Sequence, residues 1–168
     1  MKRKMKHLVF AFSILFVADG ALAEKHEMPE VKTSAELDRM KTLVGTWKGS
    51  AVGMPEKTVE VQYRLSSGGS AVVETISPGT PHEMTTVYFD EAGKLAMTHY
   101  CMLGNHPTMY LTKSSATELQ FDVPRTSDEK HMNALDITFK SADEMDQRWG
   151  MVDGKKSEVT TFALRRES

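Results

Sequence analysis

Thr58-Val59-Glu60-Val61-Gln62-Tyr63-Arg64-Leu65 alternates polar and apolar residues without a break. A period of two belongs to a β-strand with one face in water and one against a core. Val59, Val61, Tyr63 and Leu65 form its expected inner face. Ser66-Ser67-Gly68-Gly69-Ser70 then interrupts the pattern, and Ala71–Ile76 resumes it as a second strand. Glycines inside so short a polar link are turn chemistry, not a phosphate cradle.

The same reading extends in both directions. Thr46–Val52 precedes the quoted strand. Downstream, Glu83–Phe89 and Leu95–Leu103 flank Asp90-Glu91-Ala92-Gly93-Lys94, a hairpin signature. Further strands are expected at Thr108–Lys113, Glu118–Val123, Met132–Lys140, Glu144–Met151 and Ser157–Arg165, with a last turn at Asp153-Gly154-Lys155-Lys156. Ten short antiparallel strands would expose two edges in an open sheet, and closure into an up-and-down barrel removes both. The expected fold is therefore all-β. A ten-stranded barrel is also wider than side chains alone fill, so it is expected to enclose a ligand cavity.

Only one helix is expected. Thr33-Ser34-Ala35-Glu36 has capping-box spacing, with Thr33 three residues before Glu36. Leu37, Met40 and Val44 then share a helical face, with Leu43 close by, up to a stop at Gly45.

The N-terminus reads as an export signal. Lys2, Arg3, Lys4 and Lys6 precede the apolar run Leu8–Val17, and Ala21-Leu22-Ala23 supplies a cleavage pattern. The apolar run is about half the length of a bilayer span. The expected organisation is a signal peptide at 1–23, a flexible leader at 24–32 and a barrel domain at 33–168. The exported chain is expected in the periplasm or outside the cell, with no transmembrane segment after cleavage. Loss of the four basic residues and Asp19 moves the formal charge from −2 to −5. A surface of that sign argues against nucleic acid as a partner. Cys101 is the single cysteine, so packing alone must hold the domain.

Gly45-Thr46-Trp47-Lys48-Gly49 opens the first strand. It resembles the Gly-x-Trp signature of the calycins, the superfamily of lipocalins and fatty-acid-binding proteins. The resemblance implies that Trp47 closes the barrel bottom with a basic side chain from the last strand over it, Arg165 or Arg166. The stretches Tyr63–Ser70, Pro78-Gly79-Thr80-Pro81-His82-Glu83-Met84 and Thr98-His99-Tyr100-Cys101 are similar to a group of uncharacterised exported bacterial calycin-like proteins. A more distant resemblance, through the helix and the Gly-x-Trp-x-Gly opening, is to nitrobindin-type heme barrels. Those ligate iron through a histidine near the C-terminus. This chain has none after His131, and its last strand carries Thr160, Thr161 and Phe162 instead.

Met97-Thr98-His99-Tyr100-Cys101-Met102-Leu103-Gly104-Asn105-His106-Pro107-Thr108-Met109 concentrates the chemistry. Alternation places Met97, His99 and Cys101 on one face, expected inward, with Thr98, Tyr100 and Met102 outward. A mixed polar and apolar face suits a cavity wall better than a sealed core. The expected ligand wall comprises His99, Cys101, Met97, Tyr63, Phe89, Val87, Met109 and Trp149, with His82 at the mouth beside Glu83. The expected partner is a small apolar or amphipathic molecule whose polar end meets the histidine. Two other chemistries compete. A thioether, an imidazole and a thiol on one face suit copper, with His106 or Met109 completing the set, and the same His99/Cys101 strand is the expected place for a heme. Cys101 with His99 or His106 suits a thiol–imidazole nucleophile, which needs direct contact and a third orienting group. No paired carboxylates or nucleophile motif accompanies them, so binding is the expectation rather than catalysis.

Overall fold

The computed structural model describes residues 31–125 and 127–168, so the expected signal peptide and most of the leader lie outside the described residues. Ten antiparallel strands close into one barrel: β1 (Gly45–Val52), β2 (Thr58–Ser66), β3 (Ala71–Ile76), β4 (Met84–Glu91), β5 (Lys94–Tyr100), β6 (Thr108–Ser114), β7 (Glu118–Asp122), β8 (His131–Phe139), β9 (Glu144–Asp153) and β10 (Lys156–Arg166). Each strand pairs with its neighbours in sequence, and β1 pairs with β10 to close the ring. Nearest-neighbour connection explains why local alternation was enough to anticipate the architecture. No described helix is long and apolar enough to cross a membrane.

The main departures from expectation lie at strand ends. β5 stops at Tyr100 rather than Leu103, because Cys101 N–H donates to the Asn105 carbonyl and Gly104 N–H to that of Cys101, folding the chain into a turn. Leu65, expected inside, is half exposed near the end of β2. The chain there turns into Ser67-Gly68-Gly69, where both glycines take positive φ.

The helix, α1 (Ala35–Lys41), is capped by Ser34 and not by Thr33. The Ser34 hydroxyl accepts the Leu37 N–H at 3.1 Å and donates to Asp90 Oδ1 at 2.6 Å, so the cap also ties the helix to the end of β4. Thr33 instead donates to Asp38. Leu37, Met40 and Leu43 are buried, whereas Val44 is largely exposed because the helix ends at Lys41 and the face changes. Arg39 lies 3.9 Å over the Phe139 ring and donates to the Ser115 and Ala116 carbonyls. These contacts plug one end of the barrel with the helix.

Trp47 completes that closed end. It is fully buried, and its indole N–H donates to the Leu43 carbonyl at 2.8 Å. The Arg166 guanidinium lies 4.4 Å over its ring and donates to the Val44 and Thr42 carbonyls and to Asp143. Of the two candidate arginines, Arg166 covers the tryptophan. Arg165 points outward to Glu144, because adjacent strand residues face opposite sides.

On β1, a Cβ added at Gly49 would stand 1.8 Å from the Ala163 carbonyl oxygen of β10. The obstruction is backbone, which no rotamer change relieves. Gly49→Ala is expected to lower stability by about 2 kcal/mol, within the range for overpacking. Urea denaturation of the two proteins measures it, and equal midpoints would mean that the seam is looser than described.

Candidate functional site

With α1 and Trp47 at one end, open space remains at the other. A cavity of about 280 Å³ lies there, walled by Met54, Ile76, Met84, Met132, Met151 and Phe162 and by His99, Cys101 and Trp149. Met102 and Leu103 reach its rim from the turn after β5, and His82, Glu56 and Lys130 stand at the mouth. The wall is overwhelmingly apolar, with five methionines that adapt to a guest's shape.

The floor is polar. Tyr63, Glu74, Thr86 and His99 form one cross-strand row over β2, β3, β4 and β5, each directly opposite the next. Residues so paired lie on one face and within contact. Glu74 is fully buried. Its carboxylate accepts from the Tyr63 hydroxyl at 2.7 Å, the Tyr88 hydroxyl at 2.9 Å and the Gln147 amide. The same amide reaches the Tyr63 hydroxyl at 2.6 Å, and Trp149 N–H donates to Gln147 Oε1 at 3.3 Å. Burial pushes the Glu74 carboxyl up, opposed by hydrogen bonds from Gln147, Tyr63, Tyr88 and Thr86. Burial, then the Glu74 charge, pushes both tyrosines well above their ordinary values.

His99 ends this row at the cavity. Its Nδ1 lies 2.9 Å from the Thr86 hydroxyl, its ring tilts against Trp149 at 4.7 Å between centroids, and it is 1 % exposed. Its Nε2 is buried and has no protein partner. Burial pushes the imidazolium down to about 4, so the ring is neutral around neutral pH.

The expected wall divides into three groups. His99, Cys101 and Trp149 border the cavity, with His82 at its mouth. Met97, Met109 and Tyr63 point into the barrel but are packed in the core beneath the cavity floor. Val87 and Phe89 are a correction: both lie on the outer face, half-buried beside Ala71, Val73 and Ala96. Apolar character suggested them, yet the inner positions of β4 belong to Thr86 and Tyr88. Met102, expected outward with Tyr100, borders the cavity because the chain has left the strand by then.

His82 pairs with Glu56 at 3.2 Å rather than with Glu83, whose carboxylate accepts the Gly79 N–H. That pair joins the β1–β2 and β3–β4 loops across the mouth. His106 is exposed and packs edge-on against Tyr100 outside the cavity. Since Nε2 of His99 is unpartnered and Nδ1 faces Thr86, His99 and Cys101 form no thiol–imidazole pair. Among the described residues, no three of His, Cys, Asp and Glu are grouped to hold a metal ion. A heme held from the last strand does not fit either, because β10 turns Thr160 and Phe162 to the cavity and neither ligates iron as an imidazole does.

Sequence reasoning passed over Glu74, Tyr88, Thr86 and Gln147. Glu74 sits in Val72-Val73-Glu74-Thr75-Ile76, and an acid inside so apolar a strand was the available signal. No family model matches this chain, and no curated protein is significantly similar to it.

Proposed function

We propose that this chain is an exported, calycin-like barrel that binds one small apolar or amphipathic molecule in its open-end cavity. The observation that carries the reading is the apolar wall with a single unpartnered polar atom, His99 Nε2, buried against it. Ligand pockets commonly combine apolar enclosure with a few polar groups that orient the guest. A buried nitrogen without a partner carries a desolvation cost that a guest's hydrogen bond removes. The plugged opposite end makes this mouth the route of entry. Gly45-Thr46-Trp47, the capped helix and Arg166 over the tryptophan support the calycin comparison.

A second reading, a soft metal ion such as copper(I), is favoured by one observation. Met54, Met84, Met102, Met132 and Met151 ring the cavity together with Cys101, and thioethers and thiols are soft ligands. One experiment separates the two. The chain is purified from its native source, then analysed by native mass spectrometry, organic extraction and elemental analysis. An organic molecule at one per chain is the expected result. Stoichiometric copper, or a heme absorbance band, would transfer the assignment to a metal or heme. A chain that carries nothing and takes up no apolar dye would remove the binding reading altogether.

A further inference from the structure

The methionines of the described residues fall into two sets. Met40, Met97, Met109 and Met145 are sealed in the core, at 1 % exposure or less. Met54, Met84, Met102, Met132 and Met151 all border the cavity, and none of them is buried. Met102, at the rim, is 54 % exposed. β9 shows the division within one strand. Met145, toward the plugged end, is buried, whereas Met151, on the same inner face, is half-buried at the cavity opposite Met132. Among the described methionines, every one that solvent can reach stands on the ligand wall.

A methionine side chain is apolar and adaptable until its thioether is oxidised, and polar and chiral as the sulfoxide. The step transfers two electrons. A sulfur lone pair attacks one oxygen of a hydroperoxide, and the O–O bond breaks. That oxygen stays on sulfur, and the other leaves as water or an alcohol with the proton. Access decides which sulfurs react, so the close packing that holds the fold also protects the sealed set. A sulfoxide oxygen on the wall is a strong acceptor, and an apolar guest covering it offers no donor. Cys101 is the other oxidisable sulfur at the cavity, and as the single cysteine it can form no internal disulfide.

We propose that Met54, Met84, Met102, Met132 and Met151 are a site of oxidative modification, and that a hydroperoxide, by converting them to sulfoxides, releases the apolar guest while the barrel stays folded. This rests on the binding reading above and adds its regulation. The effect is graded, because each sulfoxide left under the guest weakens its hold further. It is also reversible, by the two methionine sulfoxide reductases that each reduce one sulfoxide epimer. The exported location of that reading lies beyond the cytosolic thiol pool, so an oxidised wall persists until such a reductase meets it.

The test is hydrogen peroxide treatment of the folded, purified chain. Peptide mass mapping, circular dichroism and fluorescence titration with prodan, a small neutral naphthalene dye, follow it. The five wall methionines are expected to gain one oxygen each about ten-fold faster than Met40, Met97, Met109 and Met145, with the barrel's spectrum unchanged. Prodan affinity is expected to fall about a hundred-fold, as two buried acceptors left without donors would cause. A thiol reductant should not restore it, and the pair of sulfoxide reductases should. A chain carrying Met54→Leu, Met84→Leu, Met102→Leu, Met132→Leu and Met151→Leu should show the same affinity before and after peroxide, whatever that affinity is. Equal oxidation of core and wall, unfolding as the wall oxidises, or prodan affinity that survives full oxidation of the wall would overturn the switch and leave the cavity a binding site. So would recovery with the thiol reductant alone, which would place the change at Cys101. An untreated chain that takes up no prodan also overturns the switch, and the native-source extraction then decides the broader reading separately.

Discussion

Glu74→Leu is expected to destabilise the protein by about 4 kcal/mol, because removing one member of a buried polar network strands the others. The carboxylate is the common acceptor for Tyr63, Tyr88 and Gln147, all buried. Leucine fills most of the space but accepts nothing, so three donors lose their partner without gaining water. For a domain of this size the change corresponds to a fall in Tm of about 10 °C. Calorimetry or urea denaturation measures it. The control is the triple variant Glu74→Leu, Tyr63→Phe, Tyr88→Phe, which removes two of the stranded hydroxyls along with the acceptor. It is expected to recover a large part of the loss, since deleting both partners of a buried hydrogen bond costs far less than deleting one. A triple variant no more stable than the single one would show that leucine fails by shape and not by polarity.

His99 is expected to make the protein acid-sensitive. Its value lies at about 4 in the folded chain against 6.5 when solvated, through burial. A depressed folded value means that the unfolded chain takes up the proton first. The stabilisation held above pH 6.5 is then lost as pH falls toward about 4, after which the dependence flattens. A shift of that size corresponds to about 3 kcal/mol. Glu74 acts in the opposite sense. Its raised value means that its contribution is present below its ordinary 4.5 and is lost as pH rises through the folded value. The difference between the unmutated protein and His99→Phe isolates the histidine, since Glu74, Tyr63 and Tyr88 are common to both. Stability curves of the two proteins are expected to converge on acidification, and parallel curves from neutral pH down to pH 4 would show that His99 is solvated.

The fold was legible in the sequence because barrel strands pair with their chain neighbours. Every element then announces itself within about ten residues, through alternation and turn chemistry. Thr58–Tyr63, Ala71–Ile76 and the hairpin at Asp90–Lys94 are cases where local pattern and tertiary demand agree. The closed end was also legible, down to Trp47 and a terminal arginine, although strand parity had to choose Arg166 over Arg165. His99 and Trp149 stood out by residue type in inward positions.

What the tertiary structure alone decided is the division of the barrel's interior into a sealed lower half and an open cavity. Met97 and Met109 have the same inward orientation as His99, and only their depth relative to the helix plug makes them core. Val87 and Phe89 were misplaced because strand polarity is one binary choice, and β4 gives its inner face to threonine and tyrosine. Those polar residues are tolerated there because each has a partner on a different strand, Tyr88 at Glu74 of β3 and Thr86 at His99 of β5. A buried polar group has meaning only with its partner, and here the partners lie on β2, β3, β4, β5 and β9. Single-strand periodicity carries the orientation of one side chain. The meeting of four strands at one carboxylate, and the unpartnered His99 nitrogen beside the cavity, exist only once the barrel has closed.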